Sequence, residues 1–150
     1  MIQLSGVPVG DYKSIKFSVG VESRYNDNLS LQIGELSQLN GMTNISWMWM
    51  TSYIFTSVGG TVKSGASAPK NMLVETGLNT NYKTVTINLP TNIRISSVKD
   101  SEIVLKADVE KALDGVDVFA NPIVGASKAT IMAQVATNYA TKVFTVASAR

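Results

Sequence analysis

Apolar and polar residues alternate from Tyr12 to Val21, with Ile15, Phe17, Val19 and Val21 on one face and Ser14, Lys16 and Ser18 on the other. Successive side chains of a strand point to opposite faces, so this period of two predicts a half-buried strand. Pro8-Val9-Gly10-Asp11, just before it, reads as a turn. Lys83 to Leu89 alternates in the same way, with Val85, Ile87 and Leu89 inward and Pro90 ending the run. Asn71 to Thr76 predicts a shorter strand, as do the pairs Ile93/Ile95 and Ile103/Leu105, and Val143 to Val146 predicts a last one. Trp47 to Val58 predicts a second strong strand, stopping at Gly59-Gly60. Glu22 to Asn40 is polar and irregular, which suits a long loop with a short strand or turn near Leu29 to Ile33.

Helical spacing occurs twice. Asp108 to Leu113 puts Val109, Ala112 and Leu113 on one side, with Gly115 as a left-handed stop. Ser127 to Thr141 carries Ile131, Met132, Val135, Ala136 and Tyr139 at helical intervals, with Ser127 as N-cap. The fold class expected from these elements is mainly β, an antiparallel β-sandwich with one or two short edge helices. A length of 150 residues suits one domain spanning 1–150.

Composition narrows the chemistry. With 45% apolar and 16% charged residues the chain is globular in character. Thirteen basic against eleven acidic residues leave a net charge of +2, and the basic residues are scattered, so no stripe suits a phosphate backbone and nucleic acid is not an expected partner. No stretch reaches the ~20 apolar residues of a membrane helix. Met1 to Gly6 has neither a charged nor a long apolar region, so the expectation is that any export signal has been removed or never existed. The absence of cysteine rules out disulfides and thiolate ligands and is compatible with an exported protein.

The absence of histidine rules out Ser-His-Asp catalysis and imidazole metal ligation. No pair of carboxylates has the spacing of a glycosidase dyad. Asp114, Asp117 and Asn121 lack the periodicity of a calcium loop, and Gly59-Gly60 lacks the lysine and helix of a phosphate loop. The expectation is a protein that is not an enzyme.

One segment holds candidate chemistry. Trp47-Met48-Trp49-Met50 contains both tryptophans and two of the six methionines. Read as a strand, it places Trp47 and Trp49 on one face and Met48 and Met50 on the other. Thioethers are soft ligands that favour Cu(I) in oxidising compartments, and an indole beside a cation adds cation–π attraction. Met48 and Met50 supply two ligands at most, so a third would come from Met42, Met72 or Glu75. The alternative is that the methionines fill core gaps while the indoles cover the other face.

The order of these motifs resembles that of MbnP-like domains. Gly10-Asp11-Tyr12 through Phe17-Ser18-Val19-Gly20-Val21-Glu22 is similar to the family's glycine-tyrosine and F-x-x-G-V-D signature. Trp47-x-Trp49-x-x-Ser52-Tyr53 resembles its W-x-W strand, and Leu73-Val74-Glu75-Thr76-Gly77 resembles its x-x-H-x-G strand. Val85 to Leu89 and the closing Asn138-Tyr139 to Phe144 follow in the same order. The resemblance implies an extracytoplasmic β-sandwich linked to copper handling, in the manner of Bacteroidota periplasmic or surface lipoproteins. It also implies that a tryptophan of the W-x-W segment is a target of oxidation by a di-haem partner enzyme and takes part in copper binding, which makes Trp47 and Trp49 the candidates. With the soft thioethers argued above, Met48, Met50 and Glu75, the last standing at the family's histidine position, are the metal-ligand candidates around them.

The chain departs from the pattern at telling positions. Glu75 stands where the family has histidine, Glu22 where it has aspartate, and Ser52 where it has glycine. A site without its imidazole should hold copper weakly. The family also carries strands ahead of the segment matching Ile2 to Pro8. The expectation is therefore that Ile2 to Leu4, or a neighbouring strand, pairs with another chain or is disordered. Two functions follow: a copper-associated binding or accessory domain, or a structural or adhesive surface sandwich that acts through protein contacts without metal.

Overall fold

The computed structural model describes residues 1–98 and 101–150. Strand β1 (Gly10–Val19) pairs antiparallel with the long β4 (Lys83–Ile95). Strands β2 (Ile54–Val62) and β3 (Lys70–Gly77) form an antiparallel hairpin, and β3 takes the short β6 (Ile123–Val124) in parallel on its other side. Strand β5 (Ile103–Ala107) pairs antiparallel with β7 (Phe144–Ala149). These sheets pack on one another as a mainly β sandwich. Phe17 of β1 and Phe144 of β7 meet edge to face, with ring centroids 5.1 Å apart.

The alternation in β1 runs as expected, with Ile15, Phe17 and Val19 on the inner side. Pro90 does not end its strand: β4 continues past it to Ile95, absorbing the separate Ile93/Ile95 strand. The register against β1 slips between Tyr12 and Ser14, whose partners are Ile93 and Asn88, so Pro90 lies in a bulge where no ladder N–H is needed. Gly59-Gly60 does not end β2 either; both glycines pair with β3, opposite Leu73 and Met72.

Three helical segments matter for the architecture. Helix α1 (Ser23–Asn26) and α2 (Ile45–Trp49) are single turns, and α3 (Ala129–Thr141) is the one long helix among the described residues. The expected Ser127 cap is not used. Ala126–Lys128 forms a 3-10 turn ahead of α3, and the helix begins two residues later than the sequence suggests. The turn over Asp108 to Leu113 is likewise 3-10, at Val109–Leu113. The short strand expected near Leu29 to Ile33 is replaced by 3-10 turns at Leu29–Leu31 and Gly34–Leu36. Met1 to Val9 forms no strand, and Ile2 and Leu4 are exposed.

The main core joins Val74, Val124, Ala112, Met132, Val135, Tyr139 and Val143 with the ring of Trp47. Helix α3 is thus a wall of this core, which is why its periodicity was so regular. A second core, made of Val21, Leu29 and Tyr53, sits beneath the lobe formed by residues 23–53. A buried polar knot ties that lobe to the sheets. The Asn26 side chain accepts the backbone N–H of Tyr53 at 2.7 Å and donates to Asn79 Oδ1 at 2.8 Å, and Ser52 Oγ accepts the N–H of Leu78 at 2.8 Å. Buried polar groups have to be paired, so Asn26 fixes the lobe by satisfying groups from two segments at once.

Asn26→Ala should strand the Tyr53 N–H inside the protein and cut the tie to Asn79. A loss of about 2–3 kcal/mol in a urea titration is expected, with native-like secondary structure by circular dichroism below the transition.

Candidate functional site

The Trp47 segment is helical. Asn44 caps α2, its Oδ1 accepting from the N–H groups of Ser46 at 3.1 Å and Trp47 at 3.2 Å. At the other end the Ser52 N–H reaches back to the Trp47 carbonyl, and the Thr51 N–H to the Met48 carbonyl, both at 3.0 Å. This is the six-to-one and five-to-two pairing of a Schellman ending. It requires a left-handed residue at its centre, and Thr51 takes that conformation with φ 50°. Glycine is the usual occupant, and a β-branched residue there is strained.

A helical turn separates the four candidates that a strand would have sorted onto two faces. Trp47 turns inward and is 4% exposed, whereas Trp49 is 83% exposed. Met48 and Met50 are also exposed, so neither faces a core. The expected two-face division of indoles and thioethers is therefore corrected: one indole is core, and the remaining three side chains face solvent.

Trp47 is held by its edge and by its face. Its indole Nε1 donates to Glu75 Oε2 at 2.7 Å. Glu75 lies half-buried on β3, opposite Ser57 of β2. The indole ring lies over Gly77 so closely that a Cβ there would collide with it, and would also come within 2.7 Å of the Tyr53 carbonyl oxygen. Gly77 is followed by Leu78, whose φ of 68° and ψ of 145° are rarely adopted by a side-chain-bearing residue. The Leu78 N–H bond to Ser52 holds this kink, as does the bond from Asn81 Nδ2 to the Gly77 carbonyl at 2.7 Å.

Beside the pair lies an open depression of about 520 Å3, lined by Met42, Thr43, Asn44, Phe55, Ser57 and Glu75 among others. Met42 and Glu75 both border the hollow, the Met42 side chain packing against the second core as well, whereas Met48 and Met50 do not line it. Met72 packs against the main core instead. Among the described residues no three acidic, histidine or cysteine side chains gather in the manner of a metal cage. One carboxylate, already accepting an indole N–H, and one neighbouring methionine do not fit a resident soft ion.

The remaining oxygen cluster serves local structure. Asp114 pairs with Lys142 at 2.7 Å, and this hydrogen-bonded ammonium holds the Asp114 carboxyl below its usual range. Asp117 caps the N–H of Ala120, and Asn121 accepts from Lys128.

The contact between Trp47 and Glu75 was within reach of the sequence, because both were candidates; the helical turn that creates it was not. Asn44 is a helix-capping residue and was the available sign. The alternation after it and the threonine at position 51 mask that sign.

The MbnP family model matches the chain over residues 1–133. No curated protein and no solved structure matches it.

Two substitutions probe the local geometry with opposite signs. Thr51→Gly should raise stability by about 0.5–1 kcal/mol, since relief of the left-handed strain exceeds the added chain entropy. Gly77→Ala should lower it by about 1–3 kcal/mol through overpacking against the indole. Urea titration followed by tryptophan fluorescence measures both, and a neutral Gly77→Ala would show that the ring does not rest on this backbone.

Proposed function

The chain belongs to the MbnP family, and we propose that it works outside the cytoplasm as a copper-linked binding domain that holds its ion loosely. The site is the Trp47–Glu75 corner of the open depression, with Met42 as the nearby soft donor. The observation that carries this reading is the 2.7 Å hydrogen bond from the Trp47 indole to Glu75. It joins the tryptophan of the W-x-W segment to the residue that stands where the resemblance puts a histidine.

The chemistry of that pair sets the strength of binding. A carboxylate is a harder ligand than an imidazole and holds a soft ion less well. Part of Glu75's lone-pair capacity is taken up by the indole N–H, so an ion competes with a charge-assisted hydrogen bond for the same group. A single thioether from Met42 adds a soft contact without a chelate ring. Copper in this reading is cargo that enters and leaves through an open depression, and the protein binds it without catalysing a reaction on it.

The family resemblance also supports Trp47 and Trp49 as targets of oxidation by a di-haem partner. The two differ in what they offer: Trp49 is open to solvent, and Trp47 donates its indole N–H to the proposed ion-binding carboxylate.

Competition with a colorimetric Cu(I) chelator tests the copper reading. The natural sequence should bind measurably but lose its copper to an equimolar chelator. Glu75→His should retain copper at least about tenfold more strongly, and Glu75→Ala should abolish uptake. Equal uptake by all three proteins would place any copper elsewhere. Intact-mass analysis of exported protein, recovered by cell fractionation, reports both the compartment and any oxidation on the peptide bearing Trp47 and Trp49.

A further inference from the structure

Of the eleven asparagines in the chain, Asn40 alone precedes a glycine. The pair closes a 3-10 turn, Gln38–Asn40, after which Gly41 takes a left-handed conformation with φ 79°. Both residues are exposed. A Cβ added at Gly41 would meet nothing within 4 Å beyond its chain neighbours, so open space surrounds the peptide link between the two. Among the described residues the Gly41 N–H makes no hydrogen bond of normal geometry.

The chain is tied down immediately after this pair and only lightly before it. The Met42 carbonyl accepts the Ile54 N–H at 2.7 Å, and the Thr43 hydroxyl donates to the buried Ser52 carbonyl at 2.9 Å. On the other side, Asn40 Nδ2 donates to the Gly34 carbonyl, which folds the amide back over its own loop. Leu36 packs on the second core, but Leu39 beside the pair is 94% exposed. A segment held mainly by local bonds and surrounded by solvent opens at small free-energy cost. Such opening brings the Asn40 amide carbon within reach of the next backbone nitrogen.

We infer that Asn40 is a modification site, converted to aspartate and isoaspartate through a succinimide closed on the Gly41 nitrogen. That nitrogen gives up its proton to solvent and attacks Asn40 Cγ; the N–Cγ bond forms, the Cγ–Nδ2 bond breaks and ammonia leaves. Water then adds to either ring carbonyl, and opening leaves a free carboxylate on the side chain or, in isoaspartate, on the former main-chain carbon. No electrons are transferred, and water is the only co-reactant. Glycine favours the closure because it places no side chain beside the attacking nitrogen. The other ten asparagines precede residues that carry side chains, and Asn26, Asn81 and Asn138 are buried as well. The product removes the donor to the Gly34 carbonyl and adds a negative charge where Glu35 is the only charged side chain between Asp27 and Lys63. Gly41 borders the open depression, so the new carboxylate stands one residue from its rim. The inference does not depend on copper.

Incubation of the folded full chain in mildly alkaline buffer at physiological temperature, followed by peptide sequencing in a mass spectrometer, tests it. The mass gain of an amide-to-acid conversion is expected at residue 40, well ahead of every other asparagine. In heavy-oxygen water the product should carry one heavy oxygen atom, and isoaspartate should accompany aspartate. Asn40→Gln should stop the conversion, since closure would then need a larger ring. Gly41→Ala should slow it at least about tenfold, because a methyl group crowds the attacking nitrogen. Circular dichroism establishes that each variant is folded. An amide that stays intact at residue 40 would overturn the inference, whether or not a urea-unfolded sample converts. Conversion at the other asparagines to the same extent would overturn it too, as would an unchanged rate in Gly41→Ala.

Discussion

The placement of one indole ring organises the region where the domain departs from a plain sandwich. Trp47 lies across the Gly77 backbone at the end of β3, joins the main core through its face, and donates its N–H to Glu75 two residues back along the same strand. Each contact constrains a different element. The face contact demands a residue without Cβ at position 77. The edge contact demands an acceptor at 75. The ring can reach both because Asn44 and Thr51 close a single helical turn around it. A large aromatic side chain contributes through burial, but here it also sets the position of the lobe that precedes it and of the strained turn that follows it.

The strained residues lie at the two ends of this arrangement. Thr51 is left-handed where α2 must stop at once, so that the chain can enter β2 at Ile54. Leu78 is kinked where β3 must turn away from the indole, and Ser52 bonds to its N–H. Residues 51 and 78 are remote in sequence yet meet through Ser52, and Asn26 bonds to the same serine and to the N–H of Tyr53. Unfavourable backbone conformations persist only where the surroundings over-determine them. The polar knot supplies that over-determination, with hydrogen bonds that water cannot replace without opening the lobe.

Much of the sheet was legible from alternation alone, because β1, β3 and the first half of β4 each bury one face and leave the other wet. Helix α3 was legible for the same reason, since its apolar positions repeat at helical spacing against a real wall of core, whereas in the 3-10 turn at Val109–Leu113 only Ala112 and Leu113 reach that core and Val109 is exposed. The errors have physical causes. Pro90 reads as a stop, but a bulge opposite Lys13 removes the need for its N–H. Gly59-Gly60 reads as a turn, but paired glycines in the β2–β3 hairpin lack side chains and not hydrogen bonds. At Trp47 to Met50 alternation is compatible with a strand of two apolar faces, and only long-range contacts decide against it. A five-residue helix has too few positions for a period of 3.6 to declare itself. Its end signal was disguised because threonine stands where glycine is customary.

In the proposed reading, the same geometry lets glutamate stand at position 75 without loss of the fold. What the fold needs from residue 75 is a hydrogen-bond acceptor for an indole at the margin of the core, and a carboxylate meets that need at least as well as an imidazole nitrogen. What a tightly held soft ion needs is a neutral nitrogen or sulfur donor with a free lone pair, and on this ground the two side chains differ. A substitution that satisfies the structural demand while weakening the metal one separates fold from ligand at a single site. Affinity for an ion would then follow the chemistry of residue 75, while the position of the indole follows Gly77 and the helical turn. The exposed methionines and Trp49 are free of both demands, since they touch neither Glu75 nor the depression it lines.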